Sequence, residues 1–185
     1  MRIAICGAHK VGKTTLAEEL LESLPGFALE LEPYHQLEAA GYEFSEIPTA
    51  EDFIKQFNYS TDLMRSSEGN VIFDRCVIDI LAYLHAIDPR KNIQKLFETA
   101  QTVMAGIELL VLVPIEVPDL IPGHQADHPR LRRLVDDLIH DWIEDFGIEV
   151  IQVSGTLLLR RDQVIANVLC YHQGYLRPQE NPIMK

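Results

Sequence analysis

The stretch Arg2-Ile3-Ala4-Ile5-Cys6-Gly7-Ala8-His9-Lys10-Val11-Gly12-Lys13-Thr14-Thr15 decides the fold. A strand-like run passes directly into G-x-x-x-x-G-K-[ST], from Gly7 to Thr14, and a helical pattern follows. The spacing has a physical reason. Gly7 and Gly12 let the backbone curl so that the N–H groups of Ala8, His9, Lys10 and Val11 point inward at phosphate oxygens. A side chain at either glycine is expected to crowd the anion. Lys13 is placed to reach the β- and γ-phosphates and the Thr14 hydroxyl to ligate Mg²⁺, and Thr15 closes the cofactor-binding run. A helix starting near Lys13 adds the positive end of its dipole. The segment reads as a site for a nucleoside triphosphate.

The 185 residues suit one domain with a single substantial core. Hydrophobic residues make up 47% and charged residues 24%, a balance that excludes disorder. A formal net charge of −12 argues against nucleic acid as a partner, because sequence-independent binding needs a basic surface. No apolar run approaches the ~20 residues that span a bilayer, so no membrane partner is expected. A first strand beginning at residue 2 is read as leaving no room for a signal peptide. Cys6, Cys76 and Cys170 form neither a disulfide framework nor a zinc pattern. Each is expected to be a small buried hydrophobe in a reducing, cytoplasmic setting.

Working outward from the motif, strands alternate with helices. Helices are predicted over 13–23, 34–40, about 50–67, 77–87, 91–104, 130–146 and from 157 to about 171, with strands at 27–31, 71–73, 107–113 and 148–153. Thr49 and Asp52 have capping-box spacing. The continuous apolar run 107–113 marks a strand covered on both faces. Leu131, Leu134, Val135, Leu138, Ile139, Trp142, Ile143 and Phe146 form one helical stripe. These elements make residues 1–173 one α/β domain with a five-stranded parallel sheet, a lid region at about 114–134, and an irregular tail at 174–185. Right-handed crossovers bring the phosphate loop and the other strand ends to one edge.

The residues that follow the strands are therefore the chemical candidates. Glu32, before Pro33, is placed to take a proton from a substrate hydroxyl that attacks phosphorus. Asp74 can hold a Mg²⁺ hydration shell, and Arg75 can bind phosphate or brace the site. Asp79 is read as helix surface. Arg130, Arg132 and Arg133 open a helix, against its dipole, which suits a phosphate-clamping lid; Asp136 and Asp137 are spaced to pair with the latter two, leaving Arg130 as the preferred lid arginine. Ser154-Gly155-Thr156 is placed to wrap an adenine base, with Arg160 or Arg161 stacking nearby. His124 and His128 fall in the lid. Tyr34, Phe53, Phe57 and Tyr59 are divided between a nucleoside pocket and the core.

Taken together, the N-terminal loop, Glu32-Pro33, Asp74-Arg75-Cys76 and the arginine-rich lid helix resemble the nucleoside and nucleotide kinases of the P-loop class. The motifs are similar to the Glu-Pro and Asp/Glu-Arg-Ser segments of deoxynucleoside kinases, with Cys76 standing where those carry Ser. The layout is also similar to small predicted ATPases allied with ribosylnicotinamide kinases. The resemblance implies a three-layer P-loop NTPase fold with strand order 2-3-1-4-5 and a short helical lid. It implies ATP and Mg²⁺ as cofactors and phosphoryl transfer to a small-molecule acceptor. Lys13 and Thr14 would serve phosphate and metal, Glu32 would be the base, and Arg75 and Arg130 would contact phosphates. A homodimer is compatible with this reading. The alternative is a regulatory or switch ATPase without a small acceptor. The chain lacks the N/T-K-x-D pattern of a GTPase, and its fourth strand ends in Val113-Pro114 without the acid of a motor ATPase.

Overall fold

The apolar runs become the middle of a single parallel sheet. The computed structural model describes residues 1–117 and 128–172. Its strands are β1 (Arg2–Cys6), β2 (Ala28–Glu30), β3 (Val71–Asp74), β4 (Leu109–Leu112) and β5 (Val150–Gln152). All pairings are parallel and the order is β2-β3-β1-β4-β5, as the resemblance implied. Every residue of β3 and β4 is buried, because both faces of the central strands are covered. β2 and β5 are shorter than the sequence suggests. They are the sheet edges and have a neighbour on one side only.

The helices are α1 (Lys13–Ser23), α2 (Pro33–Ala39), α3 (Ala50–Ser66), α4 (Val77–Ile87), α5 (Gln94–Met104), α6 (Pro129–Trp142) and α7 (Leu157–His172). They complete the three layers: α1 packs with α7, while α3, α5 and α6 pack around α4. The Thr49–Asp52 capping box forms at the start of α3. The predicted long helix from 130 to 146 divides into α6 and a 3-10 turn at Ile143–Phe146, closed by Gly147 in the left-handed region. Its stripe buries Val135 and Ile139, but Leu134 lies exposed. Cys6 and Cys76 are buried as expected; Cys170 is exposed on α7, contrary to expectation.

Gly7 is required for a reason other than the one its motif suggests. A Cβ there would lie 2.3 Å from the Val113 carbonyl oxygen, at the exit of β4. The backbone of the neighbouring strand, rather than an anion, fills the space a side chain would need. Residues 118–127 of the expected lid, including His124, and the expected tail lie outside the described residues.

Candidate active site

The loop between β1 and α1 is built to present backbone N–H groups. Lys10 and Gly12 both adopt left-handed φ values, 54° and 92°. Helix α1 begins with no side-chain cap and no acid in its first turn, so its N-terminal donors are left for an anion. The outward carbonyls are held by arginines. Arg132 donates from Nε to the His9 oxygen at 2.9 Å and from Nη2 to the Lys10 oxygen at 3.1 Å. Arg160 donates from Nη1 to the Val11 oxygen at 2.6 Å. Inside the curl, the buried Lys13 ammonium donates to the Ala8 carbonyl at 2.7 Å. Burial, then the neighbouring Arg75 charge, lower the Lys13 pKa. The cavity here is about 400 Å³, lined by His9, Lys10, Gly12, Lys13, Thr14 and Thr15, with Glu32 and Arg75 opposite.

The ends of β2 and β3 deliver the acids. Glu32 caps α2 ahead of Pro33, and Arg75 donates from Nη1 to its carboxylate at 2.6 Å. Arg75 also donates from Nε to Asp79 at 3.3 Å. It does so from φ +85°, a conformation that costs a non-glycine residue energy and persists because both carboxylates hold the side chain. The Arg75 guanidinium holds the Glu32 carboxyl below its usual range, against the effect of burial. Asp79 is fully buried, which overturns its reading as helix surface. Helix α4 is apolar on nearly all sides, so an acid in its first turn faces the interior. Burial pushes the Asp79 carboxyl up to about 6, outweighing the attraction of Arg75.

Asp74, in register with Ile5 beside the loop, is also buried. The Thr14 hydroxyl bonds to it, while burial raises its pKa. Its Oδ1 is buried without a hydrogen-bond partner. A carboxylate oxygen left open beside a threonine hydroxyl at the phosphate cavity suits a hydrated divalent cation. The donor set here is all oxygen, as Mg²⁺ prefers.

A second cavity, about 460 Å³, adjoins the first through shared residues His9, Glu32 and Arg75. Two aromatic pairs line it: Tyr34 and Phe44 with ring centroids 4.2 Å apart, and Phe53 and Tyr83 at 5.4 Å. Tyr83 ties this cavity to the loop, its hydroxyl accepting from the His9 N–H at 2.7 Å and meeting His9 Nδ1 at 2.6 Å. Gln56 also lines the cavity; its Nε2 donates to the Asp52 carbonyl at 3.4 Å, and its buried Oε1 has no partner.

The arginines sort differently from the sequence reading. Arg130 and Arg133 are exposed, whereas Arg132 is buried against the loop carbonyls. Asp136 accepts from the Ile115 N–H. Arg160 and Arg161 are both held by other groups of the protein. Arg160 bonds the loop and Glu116, at 3.3 Å, and Arg161 pairs with Glu19 at 2.7 Å. The Gly155 N–H donates to Glu116 at 2.5 Å, beside a third cavity of about 630 Å³. Among the predicted aromatics, Tyr34 and Phe53 line the second cavity and Phe57 belongs to the core. Beneath the loop, ligand-type atoms of Cys6, Cys76 and Asp79 lie within 4.8 Å of one another, all buried. Burial, and then the Cys76 thiol, push the Cys6 thiol pKa well up. The sequence reading missed Gln56, Tyr83 and the Arg132 brace; only the all-round apolarity of α4 carried a signal, for Asp79.

A family model described as an AAA domain matches residues 2–160. No curated protein matches the sequence. Solved structures share the fold at low identity. A NadR structure in complex with NAD and AMP-PNP matches 99% of this chain at 18% identity and TM-score 0.70; the chain spans 51% of its length. The M. mycoides deoxyadenosine kinase, solved with dCMP and dCDP, matches 92% of this chain and 100% of its own at 13% identity, TM-score 0.66. Thymidylate kinase from Ehrlichia chaffeensis matches 91% and 98% at 14% identity, TM-score 0.66.

Proposed function

The chain belongs to the AAA domain family, and from that premise we propose that it transfers the γ-phosphoryl group of ATP to a small hydroxyl-bearing acceptor, a nucleoside, nucleotide or related metabolite. One observation carries this reading: Glu32 and Arg75 line both the phosphate-loop cavity and the aromatic cavity beside it. A carboxylate between two cavities suits a transfer between two bound molecules better than hydrolysis in one.

The loop N–H groups and the α1 N-terminus would hold the triphosphate, and Lys13 would exchange the Ala8 carbonyl for phosphate oxygen. Bound Mg²⁺ would supply charge neutralisation between the phosphate oxygens; Thr14 and Asp74 are the residues that would hold it. The acceptor hydroxyl oxygen attacks the γ-phosphorus, its proton passes to the Glu32 carboxylate, and the bond to the ADP oxygen breaks. Glu32 is ionised at neutral pH because Arg75 stabilises its charge. That makes it a weak base, adequate where the proton moves late and positioning dominates. Arg75 orients Glu32 while facing the transferring group. Arg130, at the exposed start of α6, would add a guanidinium when the lid closes and water is excluded. Gly155 would lie on the adenine side. Free thiols at Cys6, Cys76 and Cys170 support a cytoplasmic setting.

A regulatory ATPase is the second reading, favoured by the AAA description of the family. Nucleosides, nucleotides and pyridine nucleosides, each added with ATP and Mg²⁺, separate the two. Acceptor-stimulated ATP consumption with a phosphorylated product is expected. A steady basal rate that no compound changes would favour the ATPase.

A further inference from the structure

We propose that the acceptor carries no phosphate of its own: the aromatic cavity selects a neutral or cationic nucleoside-like alcohol and rejects the corresponding 5′-monophosphate. This deepens the kinase reading and rests on it for the role of Glu32.

The two joined cavities have opposite electrical character. The loop side offers Lys13 and a helix N-terminus with no side-chain cap and no acid in its first turn. The acceptor side offers mainly hydrogen-bond acceptors. Its wall holds three carboxylates, Glu32, Glu46 and Asp52, and the unpartnered buried oxygen of Gln56. Asp52 accepts from the Thr49 N–H at 2.9 Å, the Thr49 hydroxyl at 2.7 Å and the Tyr42 hydroxyl at 3.1 Å, so its charge is fixed in place. It also occupies the N-terminus of α3, which removes that helix end as an anion site. The Gln56 amide is oriented by its bond to the Asp52 carbonyl, which only the nitrogen can donate to, so the oxygen is the atom left to a ligand.

Arg75 is the wall's one guanidinium among the described residues, and it is already shared by Glu32 and Asp79. The wall's other donors are the Tyr34 hydroxyl, the Ser45 hydroxyl, already bonded to Asp52, and the imidazoles of His9 and His128, the former bonded to Tyr83. A phosphate monoester accepts hydrogen bonds and donates none when fully ionised. It would meet like charge and acceptor oxygens with no unshared cation to receive it. A planar ring bearing N–H donors or positive charge meets the reverse: aromatic faces from Tyr34, Phe44, Phe53 and Tyr83, and oxygens that need a donor.

The test is calorimetric binding without ATP. Adenosine, cytidine and nicotinamide riboside would each be compared with its 5′-monophosphate at about pH 8, where free imidazole is neutral. At least one nucleoside should bind at least about tenfold more tightly than its monophosphate. Glu46→Lys, at an exposed wall position, should narrow that difference by strengthening the monophosphate. A monophosphate binding as tightly as its nucleoside in every pair, or no binding by any nucleoside, would overturn the inference. An unchanged ratio in Glu46→Lys would count against the charge argument in the same way. Failure of the kinase reading looks different: nucleosides would bind with the expected preference, yet none would stimulate ATP consumption. Phosphorylation of monophosphates in preference to nucleosides would refute the acceptor class and leave the kinase intact.

Discussion

Arg75 sits in a backbone region that arginine seldom occupies, held there by Glu32 on one side and Asp79 on the other. The two acids answer to it in opposite directions. Glu32, beside the guanidinium and partly exposed, stays ionised below the ordinary glutamate range; Asp79, completely buried, is pushed up to about 6. Glu32→Gln keeps the size and removes the base, so we expect kcat to fall by about two orders of magnitude, with KM for ATP nearly unchanged. Steady-state kinetics checks this, and full activity in that variant would remove Glu32 from the mechanism. Asp79 makes a prediction about stability. Its folded pKa is raised, so its contribution is fully present below the unfolded aspartate value and is lost as pH rises through about 6. Urea midpoints between about pH 5 and pH 7.5 should therefore carry a downward component with rising pH that Asp79→Asn removes. An identical pH slope in the variant would sink the assignment.

At the scale of elements, α6 and α7 each send one buried arginine to the back of the phosphate loop. The loop's curl is therefore a property of three segments far apart in sequence. Arg132→Ala should loosen the loop and weaken ATP binding about tenfold, since it removes two charge-assisted bonds to backbone carbonyls. Arg130→Ala, at the exposed start of the same helix, should instead lower kcat and leave ATP affinity nearly intact. Nucleotide titration set beside turnover measurements distinguishes the two. If both variants lose affinity alike, the division of labour on this helix is wrong.

For the whole molecule, binding and folding are linked, because the loop, Thr14 and Asp74 come together only in the native sheet. ATP with Mg²⁺ at about a hundred times its Kd should stabilise the fold by about 2.7 kcal/mol, seen as a rise in Tm of several degrees. Asp74→Asn should lose the part of that rise that depends on Mg²⁺, and an undiminished rise would remove Asp74 from the metal site. The sheet, its central strands and the phosphate loop were legible in the sequence. A buried parallel strand needs a continuous apolar run, and a phosphate curl needs its glycines and lysine at fixed spacing. Strand ends also pointed to Glu32, Asp74 and Arg75, because topology alone brings them to one edge. What those side chains hold was decided in three dimensions. Asp79 faces inward because α4 is enclosed on all sides, and Arg132 reaches the loop across more than a hundred residues. The aromatic cavity gathers Glu32 with Tyr34, Phe44, Gln56 and Tyr83 from four separate stretches. Local patterns encode how a segment buries its own apolar face; a cavity's charge depends on which distant segments share it, and only tertiary packing sets that.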